Sequence, residues 1–214
     1  MRSTCQWPEV VWQQDAELIG EAGDDPVSVG IFLWALIEPE EGRLEFGWLG
    51  PPLELLHANG IRVDLGTPAV SPPAWFFHTY PEARVVSREG TVLGFGSRGM
   101  AGPSSPAYCE AAVRITTALA ERYRRHPAFA LWHVHNEYGV PVSEDYSPAS
   151  AAAFRPWLAA RYGDLEQLNT AWGTTFWGQR YAQWDLTASE TRPEIGLALA
   201  ADLTRSLAGD VRGS

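Results

Sequence analysis

The period of hydrophobic positions changes several times along the chain, and each change marks an element. In WQQDAELIGE, Trp12 to Glu21, the residues Trp12, Ala16, Leu18 and Ile19 recur at helical intervals, and Gly23 ends the run. VSVGIFLWA, Val27 to Ala35, is instead almost continuously apolar and predicts a strand near 27–34. After the polar EPEEGRLEFG, a helix is predicted over Pro52 to Asn59, closed by Gly60. IRVDLGTPAV supplies a second strand near 61–67, broken by Pro68 and the SPPAW turn. Trp75 to Gly102 shows little periodicity and reads as a long irregular segment. Pro106 then opens an amphipathic helix, AYCEAAVRITTALAERYRRH, that stops before Pro127. FALWHVHNE is a third strand near 129–136, and Ala149 to Tyr162 a further helix. Strands apolar on both faces and separated by helices belong to a parallel sheet covered on both sides, so the class is α/β, as a barrel or an open doubly wound sheet.

In either architecture the working residues project from the carboxyl ends of strands. The run ALWHVHNEYG places Asn136 and Glu137 at such an end, where the carboxylate either starts a solvated loop or is placed for a site. Trp7, Trp34, Trp75, Phe76, Phe77, Trp172 and Trp177 follow strands or sit in long connections, and several are expected to line a cleft whose ring faces suit sugars.

Composition narrows the partners. With 214 residues, 45% of them hydrophobic, the chain has material for one globular core. A formal net charge of -10 without a Lys/Arg run argues against nucleic acid or an anionic membrane as partner. No apolar run reaches the roughly 18 to 20 residues of a membrane span, and MRSTCQWPEV lacks a secretory h-region, so a cytoplasmic location is expected. Cys5 and Cys109 lie in no CxxC or Cys/His pattern and read as structural or incidental. His133 and His135 form an HxH pair of the kind that can grip a metal in barrel hydrolases, but His57, His78 and His126 add no ligand pattern. Packed strand histidines are the preferred reading, and no metal or cofactor is expected.

Seven collinear runs, QWPEVVWQQDAELIGEAG, VSVGIFLWALIEPEEGRLEFGWL, GIRVDLGTPAVSPPAW, GFGSR, PSSPAY, HPAFALWHVHNEYG and YGDLEQLNTAWGTTFWGQRYAQWD, resemble glycoside hydrolase family 42, the microbial β-galactosidases. The resemblance covers residues 6–185, with 186–214 unassigned, and implies part of a (β/α)8 TIM barrel, about strands two to four. It implies retaining hydrolysis of β-galactosides by two glutamates. Glu137 matches the general acid/base, Asn136 its neighbour, and Arg98 and Trp177 match sugar-binding positions. Full-length relatives are expected to be homo-oligomeric.

That chemistry explains the residue types. A retaining enzyme needs one carboxylic acid to protonate the departing oxygen and one carboxylate, about 5 to 5.5 Å away, to attack the anomeric carbon. Glu137 is expected to be the acid, partly buried among aromatics so that its proton is held near working pH. Asn136 can bond the sugar 2-hydroxyl, and Arg98 offers donors to hydroxyls or to the other carboxylate, or else forms a surface ion pair. By resemblance the nucleophile belongs on strand seven, and no run beyond Asp185 matches such a strand. The chain is therefore expected to carry the acid/base half of the site without its nucleophile. Glu144, Asp145, Glu190 and Glu194 are replacement candidates without a motif. A truncated remnant that binds galactosides weakly is the alternative. The cysteines of the family's zinc loops are absent from GMAGPSS and VPVSEDYS, so no zinc is implied.

Overall fold

Strands form where the sequence is most apolar, and they pair in parallel in chain order: β1 (Val27–Val29), β2 (Val63–Gly66) and β3 (Phe129–His133). The computed structural model describes residues 9–23, 25–139, 142–175, 178 and 180–187. Val27, Ser28 and Val29 lie opposite Val63, Asp64 and Leu65. Across the other edge of β2, Val63 pairs with Phe129 and Gly66 with His133, with a register shift between Val63 and Asp64. Helices α1 (Glu9–Ala22), α2 (Trp34–Ile37), α3 (Gly50–Ala58), α4 (Ala74–Thr79), α5 (Pro106–Tyr123), α6 (Pro148–Tyr162) and α7 (Leu165–Trp172) fill the connections. No helix among the described residues is long and apolar enough to cross a membrane.

Side-chain alternation along the strands separates two environments. Val29, Val63 and Leu65 enter the main core with Leu53 and Leu56 of α3 and Ile115 and Leu119 of α5. On α5 the buried positions Tyr108, Ala111, Ala112, Ile115, Leu119 and Tyr123 recur every three or four residues, the stripe the sequence predicts. Ser28 and Asp64 alternate with these core residues and bond each other, Ser28 Oγ donating to Asp64 Oδ2 at 2.8 Å. A second, smaller core joins Phe154 and Leu158 of α6 to Leu168 of α7.

Several expectations need correction. The first strand ends at Val29, not near residue 34, because the backbones of the two strands converge just beyond it. Gly30 takes φ +96°, and a Cβ on Gly66 would lie 2.8 Å from the backbone N and Cα of Ile31. The chain must leave the sheet there, and the remaining apolar residues form a turn and α2. The third strand stops at His133. Cover on both faces holds only for β2, buried at all four positions; β3 is half-buried, with Leu131 46% exposed. The segment 75–102 contains α4, a 3-10 turn at Pro81–Ala83 and antiparallel bridges Arg84 to Ala101 and Val86 to Val92. The helix after Asp164, whose side chain accepts from Gln167 N, was not expected either.

The aromatic cleft is corrected in part as well. Trp34, Phe76 and Phe77 are wholly buried core residues. Trp34 Nε1 donates to Glu38 Oε2 at 2.8 Å, and Glu38 also accepts from Gly42 N and from Arg114 of α5, each at 2.8 Å. Trp75 Nε1 donates to the Glu38 carbonyl at 2.8 Å. Trp172 is 39% exposed, and Trp7 and Trp177 lie outside the described residues.

Gly66→Ala is expected to destabilise the chain by about 1 to 3 kcal/mol, the usual range for forcing atoms into a packed site. Its new methyl would meet the Ile31 backbone as well as Ile31 Cγ1, and the backbone cannot yield as a flexible side-chain end does. Urea unfolding of the two proteins measures the difference, and equal midpoints would contradict the close approach.

Candidate active site

Beyond β3 the backbone turns sharply. His135 has φ +61° and Glu137 φ +46°, and Gly139 follows at φ +79°. The left-handed region is uncommon for residues with a Cβ, so two in one five-residue turn require support from neighbours. Thr67, fully buried just past β2, supplies part of it. Its N–H donates to His133 O at 2.9 Å, and its Oγ1 accepts from His135 N at 2.9 Å.

Glu137 leaves this turn toward solvent and pairs with the Arg98 guanidinium. The two side chains are 51% and 53% exposed, so Glu137 is not partly buried among aromatics as expected. Asn136, between two left-handed residues, is half-buried. Three of the four expected site residues, Arg98, Asn136 and Glu137, therefore come together at the carboxyl end of β3, while Trp177 lies outside the described residues.

The two histidines have separate surroundings. His133 Nδ1 lies 3.2 Å from Asp64 Oδ2, completing a row with Ser28 across the three strands. Since Ser28 meets the carboxylate and not the imidazole, the row is no nucleophilic relay. The His135 ring lies in the turn, with Nε2 3.1 Å from Tyr108 Oη and Nδ1 3.2 Å from Asn136 O. The Tyr138 ring stacks on it at 4.2 Å between centroids and 13° between planes. Burial holds His135 down at a pKa of about 4, against the Asn136 carbonyl, which favours the protonated ring. Burial likewise pushes the Tyr108 phenol well up, so it stays protonated. No group of three or more His, Cys, Asp or Glu side chains able to hold a metal ion occurs among the described residues.

Of the replacement carboxylates, Glu144 lies 3.3 Å from the Arg88 guanidinium and accepts from Tyr146 Oη at 2.9 Å. Asp145 is buried and occupied: its oxygens accept from Val86 N, Ser147 N, Ser147 Oγ and Ser150 Oγ. It ties the loop before α6 to the 84–92 segment. Glu190 and Glu194 lie outside the described residues. Cys109 Sγ donates to Pro103 O at 3.2 Å within the fold.

Sequence reasoning missed Thr67, Tyr108 and Asp64. For Asp64 a signal was present, an ionisable residue inside the apolar run IRVDLG. Thr67 and Tyr108 act through contacts between distant segments and leave no local pattern.

The depressed His135 pKa fixes a sign. Between pH 4 and 6.5 the unfolded chain binds a proton that the folded chain refuses, so this contribution to stability is complete above pH 6.5 and is lost as pH falls toward 4. Urea unfolding from pH 4 to 7 is expected to show uptake of about one proton that His135→Asn abolishes. Equal pH slopes in both proteins would contradict a buried neutral imidazole.

The profile of glycoside hydrolase family 42, described as beta-galactosidase, matches residues 4–192. A beta-galactosidase from Arthrobacter sp is 52% identical over 180 residues, 84% of this chain and 26% of that protein. Among solved structures, the beta-galactosidase of the psychrophilic Marinomonas ef1 superposes with a TM-score of 0.90 at 36% identity, over 99% of this chain and 35% of that one. A cold-adapted beta-galactosidase from Rahnella sp. R3 gives 0.91 at 35% identity, over 98% and 33%. This chain thus spans about a quarter to a third of the length of these relatives. Its parallel sheet and covering helices are part of a (β/α)8 TIM barrel. By profile, sequence and superposition, the chain belongs to glycoside hydrolase family 42.

Proposed function

We propose that this chain contributes the acid/base half of a retaining β-galactosidase site, with Glu137 as the proton donor and the nucleophile supplied from outside residues 1–214. The supporting observation is the Arg98 and Glu137 pair at the carboxyl end of β3, beside Asn136. In the first step the nucleophilic carboxylate attacks the anomeric carbon, the glycosidic C–O bond breaks, and Glu137 gives its proton to the leaving oxygen. In the second, Glu137 takes a proton from water as that water displaces the enzyme carboxylate from the sugar. Half-exposure suits this alternation, since the same carboxyl must meet a leaving group and then a water. Asn136 bonds the 2-hydroxyl, a contact that strengthens as positive charge develops at the ring. Arg98 holds Glu137 before substrate binds and turns to sugar hydroxyls, or to the nucleophile, when it does. The catalytic segment is assigned to 6–185, with Trp177 as a sugar-stacking residue.

The 214-residue chain alone is expected not to hydrolyse an activated aryl β-galactoside, because such a substrate needs attack far more than protonation. Completed with the remaining barrel of the Arthrobacter relative, it should turn over. Glu137→Ala in the completed enzyme should then lower kcat/KM for lactose by about 10² to 10⁴-fold, with a much smaller loss on the activated substrate and partial rescue by azide. Equal losses on both substrates would remove Glu137 from the acid/base role. Turnover by the chain alone would place a second carboxylate within it. Binding of galactose without turnover in the completed enzyme would favour a non-catalytic remnant.

A further inference from the structure

The turn that carries Glu137 is held by a side chain to which neither the family match nor the proposed chemistry gives a task. His135 sits two residues before Glu137 in a left-handed conformation that residues with a Cβ adopt rarely. Three contacts from three parts of the chain hold it there. Thr67 Oγ1, after β2, fixes its backbone N–H. The Tyr108 hydroxyl of α5 meets its Nε2, and the Tyr138 ring, one residue beyond Glu137, stacks on its imidazole. Since His135 and Tyr138 flank Asn136 and Glu137 and stack face to face, the two residues between them are bent into a loop closed by ring contact. A loop closed in this way has few other conformations, so the direction in which the Glu137 side chain departs is set by the backbone.

Proton placement limits the arrangement further. Tyr108 Oη also lies 2.9 Å from Ala69 O, a bond in which the phenol can only donate. With that proton committed, the phenol oxygen accepts from His135 Nε2–H, and the neutral ring presents its Nδ1 lone pair toward Asn136 O. In the other tautomer Nδ1–H donates to Asn136 O and the phenol must turn from Ala69 O to Nε2. In either tautomer the imidazole stays bonded to the hydroxyl of Tyr108, whose side chain is wholly buried.

We propose that His135 is a positioning residue for Glu137: its imidazole, held by the Tyr108 hydroxyl and clasped by the Tyr138 ring, fixes the left-handed backbone that aims the Glu137 carboxylate toward Arg98 and the substrate. The inference rests on the acid/base assignment of Glu137, but its test does not require turnover.

In the full 214-residue chain, carbon-13 NMR of labelled glutamate side chains follows the ionisation of Glu137, and the Tyr138 ring resonances report the stack. Thermal unfolding controls for folding. His135→Ala is expected to change the Glu137 ionisation constant by roughly threefold or more, because the carboxylate loses its fixed place beside Arg98, and to move the Tyr138 resonances out of their ring-shifted positions. Tyr108→Phe keeps the ring volume and should produce a smaller change of the same sign. His135→Asn tolerates the left-handed region and keeps a polar head, so it should restore most of the wild-type value. A folded His135→Ala chain with unchanged Glu137 ionisation and unchanged Tyr138 resonances would overturn the proposal. Should His135→Ala not fold, a folded Tyr108→Phe chain decides by the same readings. Loss of folding in both would also overturn it, since the contacts would then serve stability rather than aim. Failure of the acid/base assignment itself would appear only in the leaving-group dependence of the completed enzyme and would leave these shifts in place.

Discussion

The carboxyl edge of the sheet depends on the hydrogen bonds that β2 makes to strands on both sides. Val27 N donates to Arg62 O, Val63 N to Ala128 O and Thr67 N to His133 O, so one short buried strand sets the height of two others. Parallel pairing then obliges all three carboxyl ends to emerge together. Four residues suffice for this because β2 is buried at every position and its backbone groups have no competing water. The convergence at Gly30 and Gly66 is the cost of that closeness, and it cuts β1 to three residues.

A second constraint secures the helices behind the sheet. Glu38 is wholly buried with donors from Trp34, Gly42 and Arg114, which join the turn after β1 to α5. Its carbonyl takes the Trp75 indole N–H, bringing in α4. A buried carboxylate is tolerable only when its oxygens are satisfied, and here one carboxylate orients three segments at once. α5 in turn carries Tyr108 to the back of the Glu137 turn. The site is thereby coupled to a polar cluster on another part of the fold through one rigid helix.

Much of this was legible in the sequence, for identifiable reasons. α5 was readable because its buried residues repeat at helical spacing over eighteen residues, far longer than chance alternation. The position of Asn136 and Glu137 just past the carboxyl end of β3 was readable because an apolar run of strand length ends before them. The end of β1 was not, since it follows from Gly66 pressing on Ile31 across the sheet. Nor was α4: in AWFFHT both phenylalanines are buried, and six residues show no stripe. Trp34, Phe76 and Phe77 misled because aromatic content suits a core and a sugar cleft equally, and only burial separates the two. The partner of Arg98 was one of several open choices, because a long exposed cation can reach many carboxylates until the chain is folded.

The exposure of Glu137 bears on how such a site can be exact. A side chain packed on all sides is aimed by its neighbours, but an acid/base, the role proposed for Glu137, must meet a leaving group and a water in turn and cannot be enclosed by protein. Precision must then come from the backbone beneath it. Left-handed residues serve this purpose when tertiary contacts hold them, because the few alternatives open to a residue with a Cβ are far away in conformation. Here those contacts come from Thr67 and Tyr108, both buried, and from the ring stack that closes the turn. The carboxylate is thus solvated while its Cα is fixed, which separates the demand for access from the demand for placement. Arg98, half-exposed like its partner, reaches that carboxylate from a separate segment with a long side chain, so the place of the pair is set by the backbone beneath Glu137.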